Sequence, residues 1–106
     1  MTNADLRFIY KKANKLYWHN KLPKDLPVYF EKMKRSCYGV TKVFHQAQKP
    51  HSIRINKEIR GQRALCILTV LHEMCHVEFP RRKGHQGWHD RRMLKLAKSG
   101  AFNGLW

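Results

Sequence analysis

Carboxylates are scarce in this sequence. Only 7 Asp and Glu stand against 22 Lys and Arg, so the 106-residue chain carries +15 with its histidines neutral. An excess of that size points to anionic partners, nucleic acid or acidic surfaces, through long-range attraction and counterion release. Long apolar runs are missing too. The longest are stretches such as Leu65-Cys66-Ile67-Leu68, far short of the roughly 20 residues that cross a bilayer. No transmembrane helix and no membrane partner are expected. The opening residues Thr2, Asn3 and Asp5 lack a continuous apolar signal core, which leads to the expectation of an intracellular, cytoplasmic site of action. Cysteine is sparse and odd in number. Cys37, Cys66 and Cys75 contain no Cys-x-x-Cys pair, so neither a disulfide framework nor a zinc ribbon can be read from them, and free thiols are expected.

What is present suits one compact α+β domain spanning residues 1–106, expected to be a monomer. Apolar residues make up 42% of the chain, enough for a modest single core at this length. Over residues 3–19, Leu6, Ile9, Tyr10, Ala13, Leu16 and Tyr17 recur at helical spacing, with Thr2 and Asp5 placed as a capping box. Pro23 and Pro27 then turn the chain. Three runs rich in Val, Ile, Tyr, Phe and Thr follow, Val28 to Met33, Cys37 to His45 and Ser52 to Asn56, predicting a three-stranded antiparallel meander. In the last of them Ile53 and Ile55 take one face and Ser52, Arg54 and Asn56 the other. Gln62 to Phe79 returns to helical periodicity through Ala64, Leu68, Leu71, Cys75 and Phe79, and Pro80 marks its end. A basic loop precedes a final helix, Asp90 to Ser99, with Asp90 as its N-cap and Gly100 as its stop.

The chemistry lies in His72-Glu73-Met74-Cys75-His76. Residues four apart share one face of a helix, so His72 and His76 can address one metal ion while Glu73 reaches a water beside it as general base. Two histidines and a glutamate are costly on a helix flanked by Leu68, Leu71 and Phe79 unless something pairs them. Zinc is the expected ion, one per chain. Catalytic zinc takes three protein ligands and leaves a position open, so a third must come from elsewhere, and His85 and His89 are the candidates. Cys75 could approach a metal as thiolate, but a small packed core residue is the stronger reading. Glu78 and Asp90 are candidates for carboxylates that orient a ligand imidazole.

The order of helix, three strands, His-Glu-x-x-His helix, basic loop and His at a helix start resembles the SprT-like (Spartan) metalloproteases. The resemblance spans nearly the whole chain. It rests on Tyr17 to Pro23 with its Lys21-Leu22-Pro23 ending, on Ile53-Arg54-Ile55-Asn56, on His72 to His76, and on Gly87-Trp88-His89-Asp90. It implies a minimal zincin-like fold and an endopeptidase that hydrolyses peptide bonds with zinc-bound water activated by Glu73. The interval of 13 residues from His76 to His89 resembles the bacterial form and favours His89 over His85 as third ligand. Met93 stands where many relatives carry an aromatic. The family's carboxy-terminal zinc ribbon has no counterpart before Trp106, a minimal form that suits a phage or mobile-element protein acting in a host cytoplasm.

Arg81, Arg82 and Lys83 precede His89, and Arg91, Arg92 and Lys95 follow it, which makes them the candidate nucleic-acid contacts, with Trp18, Trp88 and Trp106 as stacking surfaces. The bland reading of the same residues is solvated charge and tryptophan packing in a small core. The resemblance implies protein substrates associated with DNA. Tyr38, His45 and nearby arginines are candidates for the oxyanion stabiliser. A catalytically silent zinc-stabilised module that binds DNA or blocks a partner protein is the competing function, and a metal-dependent hydrolase of other substrates a third.

Overall fold

The structure is a computed structural model, and it describes residues 1–44, 49–82 and 87–103. Helix α1 (Asn3–Tyr17) opens on the expected capping box: the Thr2 hydroxyl accepts from the Asp5 amide at 3.2 Å, and the Asp5 carboxylate accepts from the Thr2 amide at 2.8 Å. Each bond satisfies a backbone or side-chain group that the first turn of a helix would otherwise leave unpaired. Leu6, Ile9, Tyr10 and Ala13 bury the inner face. Asn14, 2% exposed, latches the turn that follows, donating to the Leu22 carbonyl and accepting from the Leu22 amide, both at 3.1 Å. His19 and Asn20 carry that turn through the left-handed region at φ 52° and 61°.

Strands β1 (Val28–Glu31), β2 (Gly39–Phe44) and β3 (Lys49–Asn56) form one sheet in the order β1-β3-β2. This corrects the expected antiparallel meander. β2 pairs antiparallel with β3, but β1 runs parallel to β3, with Val28 opposite Ile53 and Glu31 opposite Asn56. β3 is therefore the central strand, and residues on both its faces are buried, Ser52 and Asn56 as fully as Ile53 and Ile55. β3 begins three residues earlier than expected, while β1 and β2 are shorter.

Helix α2 (Arg63–Glu78) packs on β2 and β3 and against α1, and α3 (Gly87–Lys98) packs against α2. The sequence pattern assigns α2 a single apolar side, yet Cys66, Ile67, Val70, Leu71, Met74 and Val77 bury it on several sides, while Ala64 is exposed and Leu68 partly so. A helix apolar around most of its circumference belongs in the centre of a domain. Helix α3 starts three residues before Asp90, which sits exposed in its first turn and is not its N-cap. Among the described residues no helix is long and apolar enough to cross a membrane.

One position governs how closely the sheet meets α2. A Cβ on Gly39 would lie 2.7 Å from Thr69 Cγ2 and 3.3 Å from both the Arg54 carbonyl oxygen and Ile55 Cδ1. Overpacking of this kind typically costs about 1–3 kcal/mol. Gly39→Ala is expected to lower the thermal midpoint by several degrees, measurable by differential scanning calorimetry, because β2 must move away from α2.

Candidate metal centre

The i, i+4 spacing on α2 sets the His72 and His76 rings 5.3 Å apart between centroids. The third ring comes from α3. His89, 3% exposed, lies 4.2 Å from His72 and 4.9 Å from His76 by ring centroids, and its Nε2 is 3.3 Å from the His72 carbonyl oxygen. The candidate ligand atoms of the three histidines all fall within 4.8 Å of one another. Three imidazoles on two packed helices match the donor set of a catalytic zinc site, and small ring rotations bring such donors onto one ion. Imidazole also suits copper, iron and nickel. His85 lies outside the described residues, as does His45.

Trp88 forms the wall beside the rings, with centroid separations of 5.5 Å to His76, 5.4 Å to His89 and 5.6 Å to Phe79. Starting α3 at Gly87 places Trp88 and His89 on helical backbone, so packing of the tryptophan also orients the adjacent histidine. Met93 also touches the motif, through a 3.6 Å contact between its sulfur and the Cys75 thiol. Cys75 is fully buried, and burial pushes its thiol up to about 12, so it sits as an inert core residue.

Glu73 is 5% exposed, with its Oε2 3.8 Å from His72 Nε2. Burial pushes its carboxyl up to about 7, against the Thr41 hydroxyl, which lies 3.0 Å from both Glu73 Oε1 and the Glu73 carbonyl oxygen and favours ionisation. Thr41 is a site residue that sequence reasoning missed. In a strand-like run a threonine reads as a β-former, and only the approach of β2 to α2 shows it touching the carboxylate.

The raised Glu73 carboxyl binds its proton more tightly in the folded protein than in the unfolded chain. Its stabilising contribution is thus full below the carboxyl's ordinary value of 4.5 and lost as pH rises through about 7. Protein stripped of metal should lose on the order of 3 kcal/mol over that interval relative to Glu73→Gln. Urea denaturation of both proteins at pH 4 and pH 8 measures the difference.

The basic residues divide. Arg81, Arg82, Arg91 and Lys95 are exposed, while Lys83 lies outside the described residues. Arg92 instead donates to Glu78 at 2.6 Å and to the Tyr17 carbonyl at 3.2 Å, and its guanidinium covers the Trp18 ring at 4.7 Å. Glu78 is thereby engaged by an arginine. Trp18, 2% exposed, presents no open face to a base, which corrects its place among the stacking surfaces; Trp106 lies outside the described residues.

Residues 6–101 match the family model described as SprT-like family. The chain belongs to the SprT-like family. No curated protein and no solved structure matches it. Membership of the SprT-like family makes this a metalloprotease-related domain, and its described residues form an α+β architecture of three α-helices and a three-stranded mixed sheet. Its triple-histidine cluster is suited to hold a metal ion.

Proposed function

We propose that this SprT-like protein is a zinc-dependent endopeptidase, with His72, His76 and His89 as ligands and Glu73 as general base. The observation that carries this reading is the convergence of three imidazoles from two helices beside the buried Glu73 carboxyl, whose Oε2 lies 3.8 Å from His72 Nε2. Zinc held by the three histidines supplies Lewis acidity, which lowers the pKa of water and polarises a scissile carbonyl. Glu73 takes a proton from the attacking water as oxygen bonds to the carbonyl carbon, then returns it to the departing amine as the C–N bond breaks. Thr41 fixes the carboxylate for both transfers. β2 lies at one edge of the sheet, where an extended peptide can add as a further strand. Tyr38, half exposed beside that edge, and the exposed arginines Arg81, Arg82 and Arg91 are the described candidates for contact with the developing oxyanion.

Exposed Arg81, Arg82, Arg91 and Lys95 around the histidine of α3 support recruitment of DNA-associated protein substrates. The test is hydrolysis of an unfolded protein on a DNA-cellulose support before and after chelation. Loss of cleavage with a chelator and its return with stoichiometric zinc is the expected result. Salt-sensitive DNA binding with no cleavage under any metal condition would instead establish the silent binding module.

A further inference from the structure

Part of the α2 surface that the core leaves uncovered is apolar. Leu65 and Leu68 are partly exposed, and with Thr69 and His72 they form a strip at i, i+3, i+4 and i+7, so they line one side of the helix up to the metal centre. Opposite stands the segment Ser36-Cys37-Tyr38-Gly39, and Met93 of α3 joins the lining. Between them lies a cavity of about 540 Å³ bordered by His72 and Glu73.

The outer wall is preformed. Buried Asn56 donates through Nδ2 to the carbonyls of Lys34 at 3.0 Å and Cys37 at 2.7 Å, while its amide donates to the Tyr38 carbonyl at 2.8 Å. Gly39 leaves no side chain in the gap to Thr69. Among the described residues the lining contains no lysine, arginine or aspartate, although the chain carries 22 Lys and Arg. A charged side chain entering there would find no opposite charge among those residues away from Glu73 and His72, and would lose its hydration without compensation. A bulky apolar side chain would exchange water for leucine, methionine and threonine methyl contacts.

We propose that this cavity is the specificity pocket of the centre, taking one large uncharged side chain, Leu, Ile, Met or Phe, from a residue flanking the scissile bond. The proposal rests on the peptidase reading, and it adds to that reading the substrate class. Pocket contacts of this kind discriminate by about 10- to 200-fold.

A peptide library digested by the zinc-loaded protein and mapped by mass spectrometry should show one position flanking the cut enriched at least about tenfold in Leu, Ile, Met and Phe over Asp and Lys. Leu68→Glu, at a partly exposed position, should transfer that preference to Lys and Arg, with cleavage still abolished by adding Glu73→Gln. Glu73-dependent cleavage without apolar preference, or a preference unmoved by Leu68→Glu, overturns the pocket and leaves the peptidase intact. A second measurement separates the two failures without needing activity. Titration of the wild-type protein with capped tripeptides, read by methyl NMR, should shift Leu65, Leu68 and Met93 with a central Phe and leave them unmoved with a central Asp. Equal or absent shifts overturn the pocket, whereas the expected shifts without any cleavage uphold apolar recognition and overturn the peptidase.

Discussion

Glu73→Gln should retain one zinc per chain and lose peptidase activity by at least about 10²- to 10⁴-fold, the range that general acid–base catalysis supplies. Glutamine keeps the shape and can still hydrogen-bond the Thr41 hydroxyl, so the α2–β2 contact seen at 3.0 Å has no reason to open. It cannot accept a proton from water. Parallel measurement of zinc by atomic emission and of kcat/KM on one peptide separates chemistry from metal binding. Unchanged cleavage by this variant would remove Glu73 from the mechanism. Loss of both zinc and activity would show a structural role instead.

The second large effect is on the metal itself. His89→Ala should weaken zinc binding by more than about 100-fold, since even partners that only orient a ligand contribute 10- to 100-fold. His85→Ala should leave it intact. The readout is competition with a chromogenic chelator, together with the zinc-dependent rise in thermal midpoint, which reports how much more tightly the folded state binds zinc than the unfolded chain does. Because His89 is 3% exposed, truncation also leaves a gap beneath Trp88, so circular dichroism of the metal-free variant is needed to show that α3 remains folded. Full zinc occupancy without His89 would pass the third position to another residue.

The motif helix was legible because the requirements of metal chemistry and helical geometry coincide at His72, Glu73 and His76. The capping box at Thr2 and Asp5 was legible for a similar reason, as a local bond pattern between residues three apart. Strand order was not. Three successive β-rich runs look like a meander, and nothing local in Val28 to Glu31 announces that it will pair in parallel with Ile53 to Asn56. Alternation puts Ser52, Arg54 and Asn56 on one face of β3 but does not say what that face meets, and in the fold Asn56 donates to two carbonyls of the turn before β2. Asp90 has the chemistry of an N-cap, but packing of Trp88 and His89 against His76 draws the helix back to Gly87. Leu68 looked like core by period. It lines the cavity because the neighbouring strand arrives at Gly39, a residue with no side chain.

The same placement of His89 on α3 has a bearing on the order in which the protein matures. The β2–β3 pair joins neighbouring strands, whereas the parallel pairing must bring Val28 to Ile53, 25 residues later, and carries a larger loop-closure cost. The first two donors lie one turn apart on α2, while the last arrives with the final helix. A chain emerging from the ribosome therefore passes through every stage before α3 docks with an incomplete ligand set. On the proposed function, metal capture is a late event, and the centre cannot cut the nascent chain or its neighbours before α3 has docked.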